Sequence, residues 1–397
     1  MKIINHLYYL GVNDRKKQLF ENNWPLPHGV SYNSYLIADR HTALIDTLEY
    51  GSATHYLEQI DEILKGRDLE YLIINHMEPD HAGMIGEITK RYPLVTIVAN
   101  SKTFKLIDAY FGPNHSLKEV NEGDILDLGY HKLRFVMTPW VHWPETMMTY
   151  DTTDQILFSC DAFGGFGTLD GGIFDDEIDF DAYYRDEMLR YYANIVGKYS
   201  NMVQKALAKL AGVPLQYVCP SHGPIWRQDP SKVVGLYDTW SKHQAMEGVV
   251  IAFASMYGHT EQTADYIARK IAEQGINHIR VYDVSKTHVS YILRDIWKYR
   301  GVILGSCACN NDMHPMMQHL CHELQTTSPQ GKVLGLFGGS SWNGSGVKKL
   351  QAFAAAMGWK EATPSVDILG APTSEKWTPC TTLAQAVAAK IKVHHHA

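Results

Sequence analysis

The sequence predicts an α/β protein with an αββα sandwich in residues 1–247 and a doubly wound parallel sheet of five strands in residues 248–397. A chain of 397 residues suffices for two or three domains of ordinary size. Around residues 241–248 the pattern changes, and from there strands and helices alternate regularly. Hydrophobic residues make up 45% of the chain and charged residues 20%, which is typical of a globular protein.

Strand patterns dominate the first domain. Residues 35–38 and 42–46 predict a hairpin, and the apolar spacing of residues 52–64 predicts a helix. Strands in both halves with helices between them predict two sheets packed in layers. Further strands are predicted at residues 71–74, 94–98, 133–137, 147–150, 156–159 and 216–219, and a helix-rich segment at residues 181–210. We expect the tyrosines of residues 183–192 to lie in the core, because aromatic side chains at helical spacing usually do.

The second domain alternates strands with helices along its whole length. The predicted strands are residues 249–254, 279–283, 302–305, 333–337 and 366–369. The predicted helices are residues 260–274, 291–299, 313–324, 346–357 and 383–393. Ligands of such sheets bind beyond the carboxyl ends of the strands.

Composition excludes several function classes. The net charge of −7 and the pI near 6.3 leave no basic footprint for nucleic acid. No signal peptide is apparent, and no apolar run approaches the ~20 residues that span a bilayer. The six cysteines form no spaced framework, which favours the cytoplasm. We set aside the terminal run 394–396 of histidines as a candidate tag remnant.

Seven potential metal ligands follow predicted strands. His76, Glu78, Asp80 and His81 lie within six residues of one another, directly after a buried strand. Each of the others also follows a strand, so one edge of the sandwich can gather all of them. Four imidazoles and three carboxylates are enough for two metal ions. The three more distant ligands are His142, Asp161 and His222.

The pattern H-x-E-x-D-H resembles the metal loop of the metallo-β-lactamase fold. The zinc hydrolases of that fold usually carry histidine at the third position, where this chain has Glu78. A carboxylate there favours iron or manganese over zinc. Together with the segment His142-Trp-Pro-Glu145 and the loops of the second domain, this pattern resembles the flavodiiron proteins, over essentially the whole chain and in their minimal two-domain form.

The resemblance implies a ligand set. One iron takes His76, Glu78 and His142, the second takes Asp80, His81 and His222, and Asp161 bridges the two. The family often places a further histidine in the loop before Ser31. Here that loop offers Glu21 and His28, and the sequence does not choose between them.

Three loops of the second domain resemble a flavodoxin-like FMN site. Residues 254–261 link the first strand to the first helix with hydroxyls and a glycine, and lack the spaced glycines of a dinucleotide site. Residues 305–311 stand where the family has Gly-Ser-Pro-Thr, and Cys307 and Cys309 are assigned to loop packing there. In residues 337–344, Trp342 matches the family's flavin-stacking tryptophan. The predicted FMN contacts are Ser255, Met256, Tyr257, Gly258, His259, Thr260, Ser306, Cys307, Ala308, Asn310, Ser340 and Trp342.

The function implied by this resemblance is reduction of O2 to water, of NO to N2O, or of both, with electrons passing from FMN to two non-haem irons. It also implies a cytoplasmic head-to-tail homodimer or a dimer of dimers, and an electron donor such as rubredoxin or a reduced flavin or deazaflavin. Two alternatives stay open at this point. One is a zinc-dependent hydrolase with an accessory flavodoxin domain, and the other is an electron-transfer module with a vestigial metal site.

Overall fold

The computed structural model describes residues 1–113 and 115–392, and the candidate tag at residues 394–396 lies outside the described residues. Contacts divide the chain into two compact units. The first comprises Met1–Tyr191 and Tyr199–Lys242, and the second comprises Tyr192–Lys198 and the chain from His243 onward. The predicted division between residues 247 and 248 falls within a strand, Met246–Ala254. No helix in the described ranges combines the length and the apolar character that crossing a membrane requires.

The first unit is built from short strands and helices. Its strands are β1 (Lys2–Ile4), β2 (Leu7–Tyr9), β3 (Val12–Asp14), β4 (Leu19–Phe20), β5 (Trp24–Pro25), β6 (Val30–Tyr32), β7 (Tyr35–Ala38), β8 (Thr42–Ile45), β9 (Tyr71–Ile73), β10 (Thr96–Ala99), β11 (Ser116–Glu119), β12 (Ile125–Asp127), β13 (Lys132–Met137), β14 (Met147–Asp151), β15 (Ile156–Cys160) and β16 (Tyr217–Pro220). Its helices are α1 (Ala53–Leu64), α2 (Pro79–Ala82), α3 (Ile85–Arg91), α4 (Ser101–Phe111), α5 (Arg185–Tyr191), α6 (Ser200–Leu210) and α7 (Pro230–Ser241).

Two sheets form the centre of this unit. One has the strand order β1-β2-β7-β8-β9-β10-β11, and the other has the order β12-β13-β14-β15-β16. Strands β14 and β15 are buried at every position, as expected of strands covered on both faces. The predicted hairpin forms as β7 and β8. The helix-rich segment is more irregular than predicted, because a π-helix at Phe180–Tyr184 precedes α5.

The second unit is a doubly wound sheet. Its strands are β17 (Met246–Ala254), β18 (Ile279–Asp283), β19 (Tyr299–Cys309), β20 (Asp312–Met313), β21 (Val333–Ser340) and β22 (Val366–Leu369), and its helices are α8 (His259–Ala272), α9 (Val289–Lys298), α10 (Pro315–Thr327), α11 (Ser345–Ala356) and α12 (Trp377–Lys392). The five parallel strands have the order β18-β17-β19-β21-β22, so the switch point lies beside β17. Ile251, Ile303 and Phe337 lie in the core cluster beneath the sheet.

The five predicted parallel strands are all present, although the bounds of several elements differ from those predicted. Helix α12 begins at Trp377, earlier than predicted, and the Trp377 ring stacks on Tyr266 with centroids 4.3 Å apart. The predicted end of this helix, residue 393, lies outside the described residues. The short strand β20, which pairs antiparallel with the end of β19, was not predicted, because two residues carry no readable period.

A buried histidine ties the turn after β12 to neighbouring segments of the first unit. His131 is fully buried, with Nδ1 2.8 Å from Asp151 Oδ2 and Nε2 3.2 Å from the carbonyl oxygen of Asn5. Since both partners are acceptors, the ring satisfies both only when it carries two protons. Burial lowers the pKa of His131, but the hydrogen bond and charge of Asp151 outweigh burial, so the pKa is raised.

We therefore expect part of the stability to depend on pH. Because the folded-state pKa of His131 is raised, protonated His131 stabilises the folded state. This contribution is complete below the unfolded-state pKa of about 6.5 and is lost as pH rises through the folded-state pKa. At pH 6 the variant His131→Gln should unfold at a lower denaturant concentration than wild type. Its free energy of unfolding should be lower by about 1–3 kcal/mol. Urea titrations across pH should show this difference shrinking as pH rises, and a constant difference would contradict the assignment.

Candidate metal centre and cofactor loops

The seven predicted ligands converge at one edge of the first unit. His76 and Glu78 follow β9, whereas Asp80 and His81 lie in the short helix α2. The seven side chains form two groups, each close enough to hold an ion. The first group is His76, Glu78, His142 and Asp161, and the second is Asp80, His81 and His222. From the other sheet come His142 in the loop after β13, Asp161 after β15 and His222 after β16.

The first group faces one oxygen of Asp161. His76 Nε2 lies 3.4 Å from Glu78 Oε2, and His142 Nε2 lies 3.0 Å from the same oxygen. Both imidazole nitrogens lie 3.4 Å from Asp161 Oδ2. Ligands that bind one ion at about 2.1 Å and at right angles lie about 3.0 Å apart, so these separations suit a shared ion.

The second group faces the other oxygen of the same carboxylate. His81 Nε2 lies 2.8 Å and His222 Nε2 3.4 Å from Asp161 Oδ1. Asp80 completes the group, with Oδ1 3.4 Å from His81 Nε2 and Oδ2 3.2 Å from His222 Nε2. Asp161 therefore presents one oxygen to each group.

Several buried polar atoms of the two groups lack hydrogen bonds. His142 Nε2 is hydrogen-bonded to Glu78 Oε2. The unpaired atoms are His76 Nε2, His81 Nε2, His222 Nε2, Asp161 Oδ2 and both carboxylate oxygens of Asp80. Buried polar atoms are rarely left unpaired in folded proteins, and an ion accounts for such a set. The residues present thus fit a pair of metal ions. A further candidate cluster, His131 with Asp151 and Asp154, differs because its ring nitrogens are hydrogen-bonded.

Carboxylates raise the basicity of the imidazoles. Burial lowers the pKa of His76, but the hydrogen bond to Glu145 and the nearby carboxylate of Glu78 raise the pKa to about 9. Burial likewise lowers the pKa of His81, whereas the charges of Asp161 and Asp80 raise its pKa to about 10. The same electrostatic field favours a bound cation.

Hydrogen bonds to the outer ring nitrogens orient two of the candidate ligands. His76 Nδ1 lies 2.7 Å from Glu145 Oε1, which also accepts the backbone N–H of Met77 at 3.1 Å. His222 Nδ1 donates to the carbonyl oxygen of Ser31 at 2.8 Å. Such outer contacts fix the tautomer and direction of a metal-binding ring. Sequence analysis did not identify these partners, although Glu145 stood within the segment that carried the family resemblance.

One predicted core tyrosine contacts the centre. Tyr184, Tyr191 and Tyr192 are buried as expected, whereas Tyr183 is 83% exposed. The Tyr191 hydroxyl donates to Asp161 Oδ1 at 2.9 Å. Helical spacing indicated burial but could not indicate this contact, because the partner lies 30 residues away in the chain.

The loop before Ser31 brings a carboxylate to the centre. Glu21, between β4 and β5, lies near Glu78, and desolvation together with that carboxylate raises the pKa of Glu21 to about 8. His28 instead lines a separate cavity of about 620 Å³. Of the two residues that the sequence left open, Glu21 is the one beside the ligands.

The cofactor loops of the second unit meet at the carboxyl ends of β17, β19 and β21. Gly258 has φ +91°, and its N–H donates to Ser255 Oγ at 3.0 Å, closing the turn into α8. A small cavity of about 80 Å³ opens at this point. A phosphate suits such a recess, because His259 and Thr260 at the start of α8 line it and helix N-termini favour anions. The cavity is lined by Ser255, Met256, Tyr257, His259, Thr260, Cys307, Ala308, Gly339, Ser340, Ser341 and Gly370.

Four predicted contacts lie outside this cavity. Ser306 is fully buried and its hydroxyl is engaged by the backbone of Cys307 and His314, so it braces the loop. Gly258 shapes the turn, and Asn310 lies at a hairpin tip. Trp342 is 77% exposed beside the cavity-lining Ser341, as expected of a residue that stacks on a ligand. Sequence analysis did not predict Gly339, Ser341 and Gly370. Their positions at or just after the ends of predicted strands could have indicated them, because ligands of such sheets bind there.

Comparison with known proteins agrees with both units. A family model described as ODP family beta lactamase matches residues 30–223, and a flavodoxin model matches residues 251–380. An anaerobic nitric oxide reductase flavorubredoxin from Pectobacterium atrosepticum is 33% identical over 361 residues, covering 87% of this chain and 69% of the relative. The flavorubredoxin of Vibrio vulnificus is 31% identical and covers 90% of this chain and 73% of the relative.

Solved structures give the same result. The rubredoxin oxygen:oxidoreductase of Desulfovibrio gigas superposes with a TM-score of 0.96 at 29% identity and covers 100% of both chains. A variant of the flavo-diiron protein of Thermotoga maritima gives a TM-score of 0.90 at 26% identity, over 97% of this chain and 96% of that one. The chain therefore belongs to the flavodiiron protein family.

Proposed function

We propose that this oxidoreductase reduces O2 to water, NO to N2O, or both, at a pair of non-haem irons that receive electrons from FMN. The observation that carries the proposal is the division of seven side chains into two groups that share Asp161. The names of the relatives support both substrates, since one kind acts on nitric oxide and the other on oxygen. They also favour this function over a zinc hydrolase.

The geometry supports one ligand assignment. His76, Glu78 and His142 would hold the first iron, and Asp80, His81 and His222 the second, with Asp161 between them. Three carboxylates among seven ligands favour iron over softer metals. When bound, the two ions supply open coordination positions and electrons for reducing a small diatomic molecule.

The chain's own residues keep these ligands in place. Glu145 fixes the His76 ring, and the Ser31 carbonyl fixes the His222 ring. Tyr191 anchors the shared carboxylate through Oδ1. Because all three contacts are buried, solvent does not compete for them.

The loops of the second unit support FMN as the bound flavin. Ser255, Thr260 and the amides at the start of α8 suit the phosphate, and the exposed Trp342 suits the face of the ring. We assign to FMN the predicted contacts that line the cavity, together with Trp342, and add Gly339, Ser341 and Gly370. FMN held by these residues would supply the electrons for the iron pair.

The proposal also covers the oligomeric state, the electron donor and the cellular location. Met256, Tyr257 and Trp342 of the flavin loops are exposed apolar side chains, which supports these loops being covered in a homodimer. The electron donor is a rubredoxin-type protein, which the name of one structural relative supports, or a reduced flavin or deazaflavin. All six cysteines are free, which supports a reducing cytoplasm.

Rapid mixing tests the function directly. The protein is loaded with iron and FMN, reduced without air, and mixed separately with O2 and with NO in a stopped-flow instrument. We expect flavin reoxidation with at least one of the two, together with two irons per chain by metal analysis. Zinc in place of iron, with no reoxidation by either gas, would favour the hydrolase alternative.

The role of Glu145 gives a prediction on metal affinity. In Glu145→Gln the charged acceptor for His76 is lost, and such outer changes typically weaken metal binding by about 10- to 100-fold. Competition with a chelator for ferrous iron measures the loss. The matched control is Glu119→Gln, at an exposed position of β11, which should bind iron as wild type does. Equal affinities of the two variants would show that Glu145 does not support the centre.

Dimer formation gives a prediction on turnover. If one subunit's flavin serves the other subunit's irons, dilution below the dissociation constant should lower turnover per iron, because electron transfer needs close cofactors. Sedimentation gives the mass at each concentration, and oxygen or NO consumption gives the rate. Constant turnover per iron in proven monomers would exclude the dimer as the working unit.

A further inference from the structure

Strand β19 ends in a tight hairpin with β20, next to the cofactor loops. Ala308 pairs with Met313 and Cys309 with Asp312, which leaves Asn310 and Asn311 as a two-residue turn. Their φ angles are +50° and +59°. Two successive left-handed residues define the tight turn that asparagine tolerates better than most side chains. The position of Asn311 is therefore fixed by backbone geometry.

The tip of this hairpin is bonded to the loop that carries Trp342. Asn343 Nδ2 donates a hydrogen bond to Asn311 Oδ1. The orientation of the Asn343 amide is determined independently, because its Oδ1 accepts the backbone N–H of Ser345 at 3.2 Å. The nitrogen is thus the end that faces Asn311, which acts as the acceptor.

Two further contacts join the hairpin to the start of α11. Ser345 Oγ donates to the carbonyl oxygen of Asp312 at 3.2 Å, and Lys349 Nζ lies 3.4 Å from Asp312 Oδ2. Lys348 Nζ donates to the carbonyl oxygen of Asn343 at 3.1 Å. The loop of residues 341–344 is therefore held at its C-terminal side, while the Trp342 ring itself is 77% exposed.

We propose that Asn311 is a positioning residue that accepts the hydrogen bond of Asn343 and thereby holds the Trp342 loop so that the indole covers a bound flavin. The inference rests on the FMN binding proposed above and goes beyond it by assigning a role to Asn311, a residue that does not line the cavity. An exposed indole gains little from its own packing, so its direction depends on the bonds of its loop.

Three variants and a control test this role. Asn311→Gly keeps the turn, because glycine adopts positive φ freely, and removes only the acceptor. Asn343→Ser removes the donor while keeping an oxygen near the Ser345 N–H. Asn311→Asp restores an acceptor in a residue that tolerates this conformation. The control is Ser328→Gly, which also replaces a left-handed residue (φ +51°) of the second unit, and removes a side-chain bond with Gln330.

Equilibrium FMN binding and the fluorescence of bound FMN, which a stacked indole quenches, provide readouts other than activity. Asn311→Gly and Asn343→Ser should each weaken FMN binding by about two- to tenfold, the range for one net hydrogen bond. Both should raise the fluorescence of bound FMN, and the double variant should do no more than either single one. Asn311→Asp should behave as wild type, and adding Asn311→Gly to Trp342→Ala should not change fluorescence further.

The outcomes separate this proposal from the proposed function. If wild type binds FMN, and Asn311→Gly matches Ser328→Gly in affinity and fluorescence, the positioning role is overturned while FMN binding stands. If wild type binds no FMN, both are overturned. Equal effects of Asn311→Gly and Asn311→Asp would also overturn the role, because the acceptor would then be irrelevant.

Discussion

The buried carboxylate of Asp161 is the group on which the metal centre depends. One of its oxygens faces His76 and His142 at 3.4 Å, and the other faces His81 at 2.8 Å and His222 at 3.4 Å. A charge with no exposure to solvent is costly unless positive charge surrounds it. Four imidazoles and the ions they would bind supply that compensation, so the fold and the metals stabilise each other.

The two sheets of the first unit supply the rigidity that this arrangement needs. Asp46 is fully enclosed and accepts both the backbone N–H of Asn75 at 2.7 Å and its side-chain amide at 2.9 Å. Asn75 in turn accepts the hydroxyl of Thr149, on the other sheet, at 2.8 Å. The residue just before His76 is thus tied to both layers. Ligands on such anchored loops lose little entropy when an ion binds.

The second unit meets a different structural requirement, because a flavin needs an exposed ring face as well as a buried phosphate. The start of α8 gives the phosphate fixed amide donors, and Gly258 in a left-handed conformation lets the chain turn into that helix. The ring must remain accessible for electron transfer, so its contacts cannot all be buried. Hydrogen bonds between loops, such as the pair Asn311–Asn343, are one way to order an exposed aromatic without covering it.

The sequence by itself determined the fold class and the five parallel strands, and it predicted the seven candidate ligands, because these rest on local periodicity and on motifs of fixed spacing. It did not determine which contacts the ligands make. Glu145 lies 69 residues from His76, and Tyr191 lies 30 from Asp161, so only the tertiary structure could bring them together. The choice of Glu21 over His28 and the hairpin of Asn310 and Asn311 were decided in the same way. Long-range hydrogen bonds carry no sequence period, and only chain folding selects among their possible partners.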